Sequence, residues 1–125
     1  MLAEYADMDI ALDTFPYNGG LTTCEALWMG TPVLTLEGSR IISRQSSVML
    51  QSVGLDDFVA RTREEFVSKG AWWATHRQAL VALREGLRER MAASPLTDGA
   101  AYTRALEQKL CEALARYYDA AAAEG

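Results

Sequence analysis

The chain has 125 residues, of which 50% are apolar and 23% charged, and its formal net charge is −5 at neutral pH. This length and composition predict one globular domain with enough apolar residues for a core. The acidic balance argues against a nucleic-acid surface and against a basic face for anionic lipid. No signal peptide is recognisable, and no apolar run approaches the roughly 20 residues that span a bilayer, so we expect a cytoplasmic protein.

The first predicted unit, residues 8–36, is a strand, a helix and a second strand. Met8 and the run from Ile10 to Leu12 form an apolar strand that closes at Asp13. The turn formers Pro, Asn and Gly follow in residues 14–20, and residues 32–36 form the next strand. A helical crossover between the two strands implies a parallel sheet.

The helix of this unit carries signals at both ends. Thr22 and Glu25 fit a capping box, with Thr22 as the N-cap residue. Gly30 can adopt the left-handed conformation that ends a helix, and Pro32 cannot continue it. On this interpretation Thr22 and Glu25 have a purely structural role, and that reading stays open beside any functional one.

The following segment predicts a helix and a third, weak strand. Ile42, Met49, Leu50 and Val53 recur at helical spacing up to Gly54, and residues 58–60 are the strand. A sheet of only three strands would leave an apolar edge unpaired, which soluble proteins avoid. We therefore expect the chain to be the C-terminal part of a larger enzyme, with earlier strands upstream.

Three further helices are predicted after the third strand. The first of these helices begins with a capping box formed by Thr62 and Glu65. The predicted N-cap residue of the second helix is Thr75, and that of the third is Asp98. Ser94 and Pro95 end the second of these helices. The last two helices carry apolar stripes: Leu80, Leu83, Leu87 and Met91 on one, and Tyr102, Leu106, Leu110, Ala113, Leu114 and Tyr117 on the other.

The chain has only two cysteines and one histidine, which argues against a metal centre. Cys24 and Cys111 are far apart and lie in helical patterns, so we expect buried free thiols in a reducing compartment. One histidine, His76, and two separated cysteines cannot form a zinc site, and we expect His76 at the surface.

The loop after the first strand is the candidate site. Ligands of open parallel sheets bind beyond the carboxyl ends of the strands, where residues 18–23 fall. Gly19 and Gly20 let an anion approach the backbone, and the helix that follows offers free N–H groups and its positive dipole end. These features suggest a diphosphate cradle, to which Arg40 and Arg44 could add charge unless they are solvated or ion-paired. We expect Asp13 to fix the loop through local hydrogen bonds.

The stretch LDTFPYNGGLTTCEALWMGTPVLTL, residues 12–36, closely resembles the donor-binding segment of the O-GlcNAc transferase and SPINDLY-like glycosyltransferases. The resemblance continues through SRIISRQSSVMLQSVGL and RERMAASPL and covers nearly the whole chain. Members have the GT-B fold, two Rossmann-like halves around a cleft, and usually carry tetratricopeptide repeats. The resemblance implies an α/β fold: part of the Rossmann-like C-terminal half, with a short parallel sheet followed by several helices. Residues 1–60 would be the incomplete donor-nucleotide-binding portion, and residues 61–125 its helical portion.

The resemblance also implies what the site binds. Gly20, Leu21 and Thr22 would contact the diphosphate and Glu25 the ribose, although members usually have Thr at the position of Leu21 and often His at that of Ile41. The whole predicted donor-binding set is Asn18, Gly19, Gly20, Leu21, Thr22, Thr23 and Glu25. No residue is a convincing general base, and no metal or other cofactor is expected.

The implied activity is inverting transfer of GlcNAc from UDP-GlcNAc to a protein Ser or Thr hydroxyl. The implied partners are the nucleotide sugar, a protein acceptor, an absent N-terminal catalytic half and tetratricopeptide repeats. Three alternatives stay open: a GDP-fucose-dependent O-fucosyltransferase relative, a truncated non-catalytic interaction module, and an unrelated nucleotide-binding domain. The last is disfavoured because the chain lacks G-x-G-x-x-G.

Overall fold

A computed structural model describes residues 2–123, with side chains as far as residue 120. The regular elements are β1 (Ala11–Leu12), α1 (Leu21–Trp28), β2 (Val33–Leu36), α2 (Gln45–Ser52), β3 (Val59–Ala60), α3 (Arg63–Thr75), α4 (Arg77–Ala92) and α5 (Gly99–Ala123). Short 3₁₀ helices lie at Leu2–Asp7, Ile41–Ser43 and Asp56–Phe58. The predicted α/β class, with strands first and helices after them, is confirmed.

The three strands form one parallel sheet in the order β1-β2-β3. Ala11 lies opposite Val33, and Thr35 lies opposite Val59. Within residues 2–123, β1 has a neighbouring strand on one side only, and its Leu12 is 66% exposed. The apolar sheet edge expected from the sequence is therefore present.

Helix α1 ends as predicted at Gly30. Gly30 has a φ of +79°, its N–H donates to the Leu27 carbonyl, and the N–H of Thr31 donates to the Ala26 carbonyl at 2.8 Å. This is a Schellman motif, which closes the helix and turns the chain into β2. Gly54, with a φ of +70°, ends α2 in the same way.

The N-terminus predicted for α1 lies two residues too late, and the predicted N-cap residue is wrong. The helix begins at Leu21, with Gly20 as N-cap and no side-chain capping hydrogen bond. The Gly20 carbonyl accepts the N–H groups of Thr23 and Cys24 at 3.1 and 3.3 Å. Tertiary contacts set this start, because the Thr23 hydroxyl is buried against Ser46. Thr22 is therefore not the capping residue of this helix.

Helix α3 packs closely on the sheet. Thr62 caps it as predicted by accepting the Glu65 N–H at 3.1 Å, and the Glu65 carboxylate returns to the N–H of Arg61. A Cβ on Gly70 would lie 3.2 Å from Leu34 of β2, so the glycine permits the close approach of helix and strand. Trp73 stacks on Phe58 with ring centroids 4.6 Å apart.

The cap predicted for α4 is wrong. His76, not Thr75, is the N-cap residue, and it makes no side-chain capping bond. The Thr75 hydroxyl instead donates to the carbonyls of Ala71 and Trp72, each at 2.9 Å, and so belongs to the end of α3. His76 is exposed as predicted, with its ring stacked on Trp72.

The apolar stripes of the last two helices have different surroundings. On α4, Leu80, Leu87 and Met91 are buried in the core. Asp98 caps α5 as predicted, since its carboxylate accepts the Ala101 N–H at 2.8 Å. The stripe of α5 is exposed at Tyr102, Leu106, Leu110, Leu114 and Tyr117.

The two cysteines are free, as predicted, but only Cys24 is partly buried. Cys111 is exposed, so its predicted burial is wrong; it lies on α5, most of which packs against nothing within residues 2–120. None of the helices between residues 2 and 123 combines the length and apolar character that a membrane span requires.

Candidate functional site

Asp13 organises the loop that follows β1. One oxygen of its carboxylate accepts the Gly19 N–H at 2.7 Å and the Thr14 N–H at 3.0 Å. The other oxygen accepts the Thr35 hydroxyl of β2 at 2.6 Å. The carboxylate therefore joins both ends of the loop to the neighbouring strand, and the predicted role of Asp13 is confirmed.

A second set of hydrogen bonds holds the loop from α2. Ser46 is fully buried, and its hydroxyl contacts the Gly19 carbonyl at 3.0 Å and the Thr23 hydroxyl at 2.9 Å. Gly19 is thus held through its N–H by Asp13 and through its carbonyl by Ser46. Of the predicted donor-binding residues, Thr23 has its hydroxyl turned into the protein, where Ser46 holds it.

The start of α1 presents free backbone donors. Among the described residues, the N–H groups of Gly20, Leu21 and Thr22 have no acceptor. Such groups at a helix N-terminus, together with the helix dipole, stabilise an anion by about 0.3–1 kcal/mol per charge at exposed sites. The three N–H groups belong to the positions that the family resemblance assigns to the diphosphate. Leu21 is 75% exposed, Thr22 is exposed and Gly20 is partly buried, so α1 begins at the protein surface.

Two predicted site residues carry buried oxygen atoms without partners. Asn18 is 1% exposed; its Nδ2 group donates to the Thr14 carbonyl and its N–H to the Ile42 carbonyl, but its Oδ1 accepts nothing within residues 2–123. The Oε2 atom of Glu25, one turn into α1, is also buried and unpartnered there. Unsatisfied buried oxygens are rare in folded proteins, and these two belong to residues that precede and follow the free N–H groups along the chain.

The two arginines that could add charge to the site, Arg40 and Arg44, differ in their partners. Arg44 donates from Nε to the Glu37 carboxylate at 3.2 Å, and Arg61 lies 3.8 Å from the same carboxylate. Arg44 is therefore ion-paired, which was one of the two interpretations left open. The guanidinium of Arg40 has no partner among the described residues, and Arg40 is exposed.

A groove of about 770 Å³ lies away from this loop. Its walls come from β1, β2, α3 and α4, and apolar residues such as Leu12, Phe66 and Leu80 line it. It contains none of residues 18–25. The groove borders the unpaired edge of the sheet. Its position is therefore suited to packing against another part of a protein, and it is not the anion site.

Parallel strands, a glycine loop at their carboxyl edge and an open helix N-terminus are features that this chain shares with α/β nucleotide-binding proteins. Sequence comparison narrows this class: residues 4–106 match the model of glycosyl transferase family 41. The chain belongs to this family.

Two curated relatives illustrate the similarity. The SPINDLY protein of tomato (Solanum lycopersicum), named a probable UDP-N-acetylglucosamine–peptide N-acetylglucosaminyltransferase, is 44% identical over 94% of this chain. The UDP-N-acetylglucosamine–peptide N-acetylglucosaminyltransferase of Caenorhabditis elegans is 32% identical over 87% of this chain. The chain spans only 13% of the tomato protein and 10% of the nematode protein.

A solved structure shares the fold. A mutant of the O-GlcNAc transferase of Thermobaculum terrenum superposes with a TM-score of 0.80 and 41% sequence identity. The match covers 87% of this chain and 21% of that enzyme. The described strands and helices therefore have the arrangement of one portion of a larger O-GlcNAc transferase.

Sequence reasoning missed three residues that build this site. Ser46, Thr35 and Tyr5 contact the loop or α1 from positions 17 to 27 residues away along the chain. Only Thr35 carried a signal, because it is a hydroxyl residue in an otherwise apolar buried strand, and such a group requires a partner. Periodicity gave no reason to place Ser46 or Tyr5 near the loop.

Proposed function

We propose that this chain is the donor-nucleotide-binding portion of an inverting glycosyltransferase that transfers GlcNAc from UDP-GlcNAc to a Ser or Thr hydroxyl of a protein. The observation that carries the proposal is the row of free N–H groups at Gly20, Leu21 and Thr22. Membership of glycosyl transferase family 41 and the names of the tomato and nematode relatives support the substrate class.

The diphosphate lies on the start of α1 in this proposal. Its oxygens accept the three N–H groups and the hydroxyl of Thr22, while the carboxylate of Glu25 accepts a ribose hydroxyl. Asn18 and Gly19 shape the loop, and Thr23 supports it from within through Ser46. Asn18, Gly19 and Thr23 thus hold the loop, and Gly20, Leu21, Thr22 and Glu25 contact the ligand.

This arrangement favours departure of the diphosphate. Negative charge accumulates on the leaving group as the sugar bond breaks, so fixed donors interact more strongly with the transition state than with the bound donor. Asp13 and Ser46 hold the loop in place before the ligand arrives, and the donors need little reorganisation. No metal is required at this position, because N–H groups and a helix dipole supply the stabilisation.

The remaining parts of the enzyme lie outside this chain. The general base, the contacts to the nucleobase and the binding of the protein acceptor belong to the N-terminal catalytic half and to tetratricopeptide repeats. The small share of each relative that this chain spans supports that division. We therefore expect the 125-residue chain alone to transfer no sugar.

A chimera tests the proposal. The matching segment of the T. terrenum O-GlcNAc transferase is replaced by this chain, and transfer to an acceptor peptide is measured with UDP-GlcNAc and with GDP-fucose. The proposal predicts GlcNAc transfer by the chimera and its loss on Glu25→Ala. Transfer of fucose alone would favour the alternative donor. A folded chimera that uses neither donor, beside an active parent enzyme, would contradict the proposal.

A further inference from the structure

Gly19 and Gly20 share the only peptide group in the chain that has glycine on both sides. Glycine has no Cβ to restrict its dihedral angles, so rotation of this peptide plane meets little steric resistance. Its N–H, on Gly20, is the first of the three donors that have no acceptor among the described residues. A rotated plane would present the Gly19 carbonyl oxygen to an anion instead of this N–H.

Ser46 of α2 determines the orientation of this peptide. Its hydroxyl donates to the Gly19 carbonyl at 3.0 Å, and a serine has only one hydroxyl hydrogen. In the 2.9 Å contact between the hydroxyls of Ser46 and Thr23, Thr23 is therefore the donor. Ser46 is 0% and Thr23 2% exposed, so water does not compete for these bonds. A buried chain of hydrogen bonds runs from Thr23 through Ser46 to the Gly19 carbonyl.

The planarity of the peptide transmits this constraint to the Gly20 N–H. The C=O and N–H groups of a trans peptide lie in one plane and point in opposite directions, and the Gly19–Gly20 peptide is trans. Holding the Gly19 oxygen toward the buried Ser46 hydroxyl consequently aims the Gly20 N–H away from it. The Asp13 carboxylate holds the preceding peptide through the Gly19 N–H at 2.7 Å. Both peptide planes that meet at Gly19 are thus fixed.

We propose that Ser46 is a positioning residue for the diphosphate, which locks the Gly19–Gly20 peptide in the orientation that offers the Gly20 N–H to the ligand. The inference rests on the proposed function, because it assumes that a diphosphate binds at the start of α1. Ser46 acts through the backbone and not by touching the ligand. It raises affinity because it excludes, before the ligand binds, the rotated orientation whose carbonyl oxygen would repel a phosphate.

Two adjacent serines of α2 provide a matched pair of variants. Ser46 and Ser47 are both fully buried, but the Ser47 hydroxyl donates to the Arg44 carbonyl at 2.9 Å and not to the loop. Ser46→Ala and Ser47→Ala therefore remove the same atom from neighbouring positions, and only Ser46→Ala frees the Gly19 carbonyl. Ser46→Cys keeps a weaker donor of similar size, and it carries the test should Ser46→Ala not fold.

The test measures binding of inorganic pyrophosphate and of UDP to the 125-residue chain by NMR titration, below the unfolding midpoint of every variant. Ser46→Ala should weaken binding of both ligands about fivefold, because a peptide without this hydrogen bond is less often in the competent orientation. Ser46→Cys should show a smaller loss, and Ser47→Ala none. In the ligand-free spectra, the Gly19 carbonyl carbon and the Gly20 amide nitrogen should shift in Ser46→Ala but not in Ser47→Ala, which a loss of stability alone would not produce.

The outcomes separate this inference from the proposed function. Equal pyrophosphate affinity of wild type and Ser46→Ala would overturn the inference. An equal loss in Ser46→Ala and Ser47→Ala would also overturn it, because packing of α2 rather than the bond to Gly19 would then be responsible. Unshifted Gly19 and Gly20 resonances in Ser46→Ala would contradict the lock directly. A wild-type chain that binds neither pyrophosphate nor UDP would contradict the proposed function itself.

Discussion

The Asp13 carboxylate and the Gly19 N–H lie 2.7 Å apart and close the loop that precedes α1. The same side chain accepts the Thr14 N–H and the Thr35 hydroxyl, so it has three donors around two oxygens. A carboxylate can accept from all three, whereas an amide must turn an NH₂ group toward one of them. The loop is therefore specific for Asp at this position.

Asp13→Asn should destabilise the chain by about 1–3 kcal/mol, because a buried donor loses its acceptor. Thr35→Val is the matched variant that removes only the link to β2, and it should cost less. Thermal or urea unfolding measures both. If Asp13→Asn unfolded with the wild-type midpoint, the carboxylate would not hold the loop.

The two loop glycines should differ in their tolerance of alanine. A Cβ on Gly19 would lie 2.6 Å from Thr23 Oγ1 and 2.9 Å from Thr22 Oγ1, whereas one on Gly20 meets only the flexible end of Gln45 at 3.1 Å. Gly19→Ala should therefore cost about 1–3 kcal/mol of stability, as overpacking does. Gly20→Ala should cost less in the same urea titration, because only a flexible side-chain end has to move. Equal effects of the two variants would contradict the described loop packing.

Leu21→Thr should strengthen nucleotide binding. Leu21 is 75% exposed at the first residue of α1, where a hydroxyl could reach a phosphate oxygen. One such hydrogen bond contributes about 0.5–1.5 kcal/mol. Leu21→Val is the control, because valine has the shape of threonine without the hydroxyl. UDP titration of the three proteins checks this, and equal affinities of the threonine and valine variants would place the diphosphate elsewhere.

Glu25→Ala should weaken UDP binding by about 1.5–3 kcal/mol if its carboxylate accepts a ribose hydroxyl. The unfolding midpoint without ligand should change little, since Glu25 does not cap α1 and its Oε2 atom has no partner among residues 2–123. Calorimetric titration and thermal unfolding of one preparation give both values. Unchanged affinity with a lowered midpoint would assign Glu25 a purely structural role.

The two thiols should differ in reactivity. Burial, and then the neighbouring Glu25, raise the pKa of Cys24, whose Sγ atom also contacts Met49 Sδ at 3.7 Å. The folded Cys24 thiol keeps its proton to higher pH than the unfolded one. The stability that this difference in pKa contributes is therefore present below the ordinary thiol pKa. It is lost as the pH rises through the raised value. Iodoacetamide at pH 8 should label the exposed Cys111 faster than Cys24, as peptide mass spectrometry can measure. Faster labelling of Cys24 would contradict this.

Local signals predicted most of the fold. The glycines at 30 and 54 end α1 and α2 through positive φ, and Thr62 and Asp98 cap their helices with their own side chains. Each of these features depends on residues within a few positions of one another. Asp13 was predicted as a loop anchor for the same reason.

The two capping errors have different causes. Thr22 fits a capping box, but α1 begins two residues earlier than that box implies, because Gly19 and Thr23 are held by Ser46 of α2. Thr75 bonds back to the preceding helix. The donor-binding set came from family resemblance together with the loop glycines, and Tyr5 could not be found from spacing, because its partner Thr22 lies 17 residues away.

The central claim is that a diphosphate binds where the loop after β1 enters α1. The most direct measurement is an NMR titration of the ¹⁵N-labelled chain with UDP, following every backbone amide. We predict the largest shifts at the N–H groups of Gly20, Leu21 and Thr22, which have no acceptor among the described residues. No shift at these amides, or largest shifts in the groove around Phe66 and Leu80, would contradict the account.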